Sequence, residues 1–272
     1  MPRNNLTRTA TAAVVALAIA GVTAGCGSSS TKSSATPSSS ASASASSDLS
    51  GSATVLAAAS LAGAFTTLAK QFEAAHPGTT IKLSFGASSA LALQITSGAK
   101  VDVFASASPK NMQQIVSGGE ATTFTNFVKN VMEIAVPPNN PAGVTGVADL
   151  AKSGVKVALC QAQVPCGATA AKVFTNAMVK VTPVTEEVDV KSTLAKVESN
   201  EVDAGVVYVT DVLAAKSKVK GIEIPAGINA STEYPIATLT KAPNAAVAEA
   251  FMAYVLSSAG QSVLAAAGFE KP

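Results

Sequence analysis

Chemistry in this sequence gathers where apolar, strand-like runs turn into helical ones. In TVLAAASLAGAF, residues 54–65, the join falls at Ser60, and in SFGASSALALQI, residues 84–95, it falls at Ser88. VPCGATAAKVF, residues 164–174, sets a CGA turn before a helical pattern, and in VDVKSTLAKVESNE Asp189 stands where it can cap a helix beginning around Val190. A helix leaves its first N–H groups unpaired and its N-terminus positive in potential, so such joins can seat an anion without any cationic side chain. Taken singly, each has a plainer reading, because a serine before a helix is ordinarily an N-cap.

The other chemical groups read more simply. His76, the single histidine, stands before Pro77 and Gly78 and is expected as an exposed residue at a helix C-terminus. Tyr208, in the apolar run GVVYVTD, reads by itself as a core residue whose hydroxyl finds a partner. Asp211 is expected to cap the following helix rather than bind a metal, and Glu186–Glu187 to form a solvated edge. Ser60 has no G-x-S-x-G context and no histidine partner in view, which argues against a serine hydrolase and against an enzyme generally.

The elements that must position these joins alternate along the chain. From residue 53, strand-like ATVLAAA, TIKLSFGA and VDVFASA alternate with helical SLAGAFTTLAKQFEAAHP, SSALALQITSGA and SPKNMQQIVSGG. Leu61, Phe65, Leu68 and Phe72 fall on one helix face. This is a doubly wound βαβ series, whose ligands lie beyond the carboxyl ends of the strands. NVMEIAVPPNNP is a strand leaving this first series. A second series follows, with strands in VKVALCQAQVPCG, VTPVTEEV and AGVVYVT and helices in ATAAKVFTNAM and KSTLAKVESNE. STEYPIATLT is extended, and residues 244–269 read as one long helical C-terminus. Two lobes are the simplest organisation, residues 53–134 with 238–272 and residues 135–237, with chain crossings near 131–137 and 232–239. With 4% aromatic residues and no Trp, the core must be built from Ala, Val, Leu and Ile, which favours α/β over a β-sandwich.

Residues 1–25 have Arg3 and Arg8, the apolar run AAVVALAIAGV and then small residues, the pattern of an export signal rather than a membrane span. TAGC, ending at Cys26, resembles a bacterial lipobox with Thr23 where Leu is usual; an ordinary signal cut nearby is the alternative. Residues 26–52 are a Ser/Ala-rich stretch that cannot bury enough apolar surface to fold and reads as a tether. Removing the signal leaves 17 Lys against 17 Asp plus Glu and no Arg. That balance argues against nucleic-acid binding, which needs a basic field. Of the three cysteines, Cys160 and Cys166 are spaced C-x5-C with no nearby histidine, poor zinc spacing. In an exported chain a disulfide between them is expected, with two free thiols as the alternative.

AAASL, SFGASSALALQI, VPCGATAAKVF, VDVKSTLAKVESNE and GVVYVTD, in this order over residues 53–270, resemble the motif series of the periplasmic-type molybdate-binding proteins of ABC importers. The resemblance implies an α/β, two-lobed periplasmic-binding-protein (type II) fold, each lobe a sheet flanked by helices, with the ligand in the cleft. It implies a tetrahedral oxyanion, molybdate or tungstate, held by neutral donors: hydroxyl and backbone groups of Ser60 and Ser88, backbone N–H groups of Cys166 and Val190, and the phenol of Tyr208. Relatives commonly have a small residue such as Ala at the position of Cys166, a change that a backbone donor tolerates. No cofactor is implied. The partners would be an ABC permease and its ATPase, and the protein a monomer held by its lipid on the outer face of the cytoplasmic membrane. Sulfate or another tetrahedral oxyanion is the alternative ligand. On this reading Ser60 both caps its helix and seats the anion.

Overall fold

The computed structural model describes residues 49–272. The expected export signal, the lipidated Cys26 and the tether as far as residue 48 lie outside the described residues.

The chain begins with β1 (Gly51–Ala58), whose last four residues are all buried, and passes through a single 3-10 turn at Ala59–Leu61 into α1 (Ala62–Ala75). The face predicted from spacing forms as expected: Leu61, Phe65, Leu68 and Phe72 are fully buried. β2 (Thr79–Gly86), α2 (Ser88–Thr96), β3 (Val103–Ala105) and α3 (Pro109–Ser117) continue the alternation. β1 pairs in parallel with both β2 and β3, so these three strands point their carboxyl ends the same way.

β4 (Thr125–Val136) is the longest strand, and it changes partners halfway. As far as Val131 it runs antiparallel to β9 (Ser231–Thr238); from Met132 it runs antiparallel to β7 (Ala204–Tyr208), and from Glu133 also to β8 (Lys220–Glu223). Pro137 follows at once, lacking the N–H that another ladder rung would need. β5 (Val157–Cys160) lies parallel to β7 and to β6 (Thr185–Glu187), and β9 joins the first group antiparallel to β3. The resulting order is β2-β1-β3-β9-β4-β7-β5-β6, with β8 beside β4. α4 (Pro165–Asn176), α5 (Val190–Glu198), α6 (Val209–Ala215), α7 (Ala245–Leu256) and α8 (Ser258–Ala266) complete the helices.

Burial follows this division of pairing. One apolar cluster gathers β1, α1, the first half of β4 and α7, and another packs α2 and α3 on β3 and β1. A third gathers the second half of β4 with β5, β7, α4 and α5. Leu, Val, Ile and Ala dominate all three, as the composition requires. No helix among the described residues is long and apolar enough to cross a membrane.

The structure departs from the sequence reading at several elements. β6 has three residues, not the eight of VTPVTEEV, because Pro183 lacks a donor N–H and only the TEE segment pairs with β5. The long C-terminal helix is two: Ser257 takes an extended backbone, and its hydroxyl accepts the Gly260 N–H at 3.2 Å to start α8. β8 has no counterpart in the sequence reading, and α6 starts at Val209, two residues before the Asp211 expected to precede it. His76 is half-buried rather than exposed, with its ring 4.5 Å from that of Phe72 at the end of α1.

Candidate functional site

The joins singled out from sequence meet. Ser60, Ser88, Cys166, Val190 and Tyr208 line one small cavity, together with Ala107, Asp189 and the residues next to the serines. They come from the carboxyl ends of β1, β2 and β7 and from the starts of α2, α4 and α5, as expected for ligands at strand ends. All five are at least nine-tenths buried. None of the lining residues is cationic.

Local structure explains each donor. Ser88 is the first residue of α2, Cys166 the second of α4 and Val190 the first of α5, so their N–H groups fall in the turns that have no intrahelical acceptor. Asp189 caps α5 as expected, its Oδ1 accepting the Ser192 N–H at 2.8 Å. Ser60 is different from its expectation. It sits inside the 3-10 turn, α1 starts two residues later, and neither Ser60 nor Ser88 makes a capping hydrogen bond. The dual role for Ser60 is therefore corrected: its hydroxyl lies 2.8 Å from Tyr234 Oη instead. Ser88 Oγ accepts the Ala107 N–H at 2.8 Å.

Tyr208 did not find the partner that a core tyrosine ordinarily finds. Its Oη is buried and unpaired, although Thr169 and Tyr234 lie near it. An unmade buried hydrogen bond costs about 1–3 kcal/mol. Burial pushes the phenol well above its usual range, so it holds its proton and remains a donor at neutral pH. Behind it, Asp211 Oδ2 accepts the Tyr208 N–H at 3.2 Å; Asp211 is the third residue of α6 rather than the residue before it, so it closes the helix start from within. The other oxygen of Asp211 is 2.9 Å from Lys191 Nζ, which ties the start of α6 to the start of α5. Among the described residues no group of acidic, His or Cys side chains is arranged to hold a metal cation.

Cys160 and Cys166 are joined, with Cα atoms 5.8 Å apart, closing the loop that leads from β5 into α4. Gly167 permits this closure: a Cβ there would collide with the carbonyl groups of Cys160 and Gln161. Glu187 is half-buried and hydrogen-bonded to Thr185, while Glu186 is exposed.

The cavity has a volume of about 20 Å³. That is far below the ~300 Å³ of sites for larger organic ligands and leaves room for a small ligand only. A much larger groove, of 570 Å³, opens beside the crossing strand, but Glu133, Glu223 and Glu270 line it, a setting that repels anions. Sequence reasoning missed Tyr234 and Ala107. Both act through long-range pairs, and no local pattern announces either.

A family model described as "Bacterial extracellular solute-binding protein" matches residues 53–270. The chain belongs to this family. The "Molybdate-binding protein ModA" of Mycobacterium tuberculosis (strain H37Rv) is 38% identical over 222 residues, covering 81% of this chain and 85% of that one. The "substrate binding domain of putative molybdenum ABC transporter from Clostridium difficile" has 28% identity and a TM-score of 0.62, covering 81% of this chain and 99% of that one. The Azotobacter vinelandii periplasmic molybdate-binding protein has 22% identity with a TM-score of 0.71, at the same coverage, and bears on the fold alone. The fold is thus that of the periplasmic solute-binding proteins, and the bound species in this family is a solute rather than a cofactor.

Proposed function

We propose that this protein captures molybdate, and tungstate almost equally, outside the cytoplasm and delivers it to the permease of an ABC transporter driven by its ATPase. The observation that carries the reading is the unpaired, buried Tyr208 phenol beside a cavity ringed by helix starts and free of cations. An anion there would meet donors and one carboxylate, that of Asp189, which accepts the Ser192 N–H of its own helix start. Ser60, Ser88 and Tyr208 would give hydroxyl hydrogens, and Ser88, Cys166 and Val190 backbone N–H groups. Lobe I would hold Ser60 and Ser88, and lobe II the other three. The boundary between lobes would fall where β4 changes partners, between Val131 and Met132, and near β9 on the return, which the pairing pattern supports. The protein acts as a receptor, not an enzyme, and works as a monomer. Cys26 is its lipid attachment point and the residues from 27 to the start of β1 at Gly51 its tether, with residues 1–25 removed on export.

Support for molybdate over other oxyanions comes from the family relatives that carry that name; the all-donor site suits a fully deprotonated dianion, molybdate and sulfate alike. Thermal unfolding tests it. Molybdate at a hundred times its dissociation constant should stabilise the protein by about 2.7 kcal/mol, a rise of roughly 5–10 °C for a domain of this size. Sulfate at the same concentration should shift the midpoint little. Equal stabilisation by sulfate would move the assignment to the general oxyanion class, and no shift with any oxyanion would reject the receptor.

A further inference from the structure

We propose that Tyr234 is a positioning residue for the anion site: its phenol donates to Ser60 Oγ and so leaves the Ser60 hydrogen to point at the ligand. The inference rests on the assignment of Ser60 as a ligand donor. Tyr234 lies on β9 opposite Val128 of β4, is fully buried, and has its Oη 2.8 Å from Ser60 Oγ.

A serine hydroxyl has one hydrogen and two lone pairs. If Ser60 gave its hydrogen to Tyr234, it would turn lone pairs towards the cavity and repel an anion. A phenol is the more acidic hydroxyl and the better donor, and the reverse arrangement frees the Ser60 hydrogen. Ser88 shows the same logic with no ambiguity. The group that feeds its oxygen is the Ala107 N–H, which cannot accept, so the Ser88 hydrogen has no claim on it from that side. In both serines a protein donor occupies the oxygen and the hydrogen remains for the ligand.

The placement of Tyr234 suits it to this task. Its ring meets Tyr208 edgewise at 6.2 Å and Phe269 at 5.3 Å, contacts that fix the ring plane and hence the direction of the phenol. It therefore touches one donor that follows β1 and another at the end of β7. Burial raises the phenol well above its ordinary range, so the hydrogen it donates stays in place.

A double-mutant cycle decides the matter, with the molybdate dissociation constant of the parent, Ser60→Ala, Tyr234→Phe and the double variant measured by calorimetric titration. Phe keeps the ring contacts, so the unfolding midpoint of unliganded Tyr234→Phe should lie within a few degrees of the parent. Tyr234→Phe should weaken binding by roughly five- to twentyfold, and Ser60→Ala by roughly ten- to a hundredfold. In the Ser60→Ala background, Tyr234→Phe should change affinity by less than about twofold, since its route to the ligand is gone. Parent-like binding by Tyr234→Phe, or the same loss with Ser60 absent as with it present, would overturn the inference while leaving the site reading intact. Parent-like binding by Ser60→Ala overturns the site reading, and this inference with it.

Discussion

At the residue scale the site depends on keeping buried polar groups either fully paired or reserved for a ligand. Asp211 shows the cost of the first requirement. It is fully buried, accepts the Tyr208 N–H and is paired with Lys191, a side chain about one-third exposed. Burial raises its carboxyl above the usual range, and Lys191 works against that shift. Because the folded value lies above the unfolded one, the native state binds the proton more tightly. Stability from this group is then fullest below the unfolded pKa of about 3.9 and is lost as pH rises through the folded value. Lys191→Met removes the opposing charge and should cost at most about 3 kcal/mol at pH 7, the low end for a broken buried pair because the lysine is partly solvated. The difference from the parent should shrink as the pH is lowered towards 5, as the carboxyl takes up its proton. Chemical denaturation of both proteins across that range checks the sign, and a cost that grows on acidification would show that Asp211 is not the group responsible.

At the element scale, β4 does most to organise the molecule, and it carries a like-charge conflict. Glu133 on β4 lies directly opposite Glu223 on β8, and its carboxyl is raised by partial burial first and by Glu223 second. Like charges facing each other across strands destabilise. Glu133→Gln should raise the unfolding midpoint at pH 7 by one to a few degrees, with the gain fading as the pH falls and the parent carboxyl takes up its proton. An unchanged midpoint at pH 7 would mean that the groove solvates both charges fully. The legibility of elements in the sequence follows from how local their causes are. α1 could be read because four apolar residues at helical spacing define its buried face, and β1 because its apolar run is uninterrupted. β8, by contrast, is four residues held by a partner some ninety positions away, and α6 is two turns held by the Asp211 cap. The C-terminal helix was drawn as one because Ser257 looks like any helical serine until its backbone turns outward. Ser60 reads as a cap for a similar reason. The 3-10 turn moves the start of α1 beyond it, and the partner that claims its hydroxyl, Tyr234, is 174 residues distant.

At the scale of the whole molecule, five short motifs spread over about 150 residues converge on a cavity of about 20 Å³. The convergence follows from topology: parallel strands in each series deliver their carboxyl ends, and the helix starts behind them, to the same side. β4 and β9 join the two groups of strands. A cage without cations should hold a dianion by many modest hydrogen bonds rather than by countercharge, so its affinity should depend on single donors and little on salt. The most direct test is calorimetric titration of molybdate into the parent and into Ser88→Ala, beside thermal unfolding of both without ligand. Saturable one-to-one binding by the parent is expected, with a roughly ten- to hundredfold weaker constant for Ser88→Ala and an unliganded midpoint lowered by several degrees at most, because the buried Ala107 N–H loses its acceptor. Identical dissociation constants for the two proteins would contradict the placement of the anion among these helix starts.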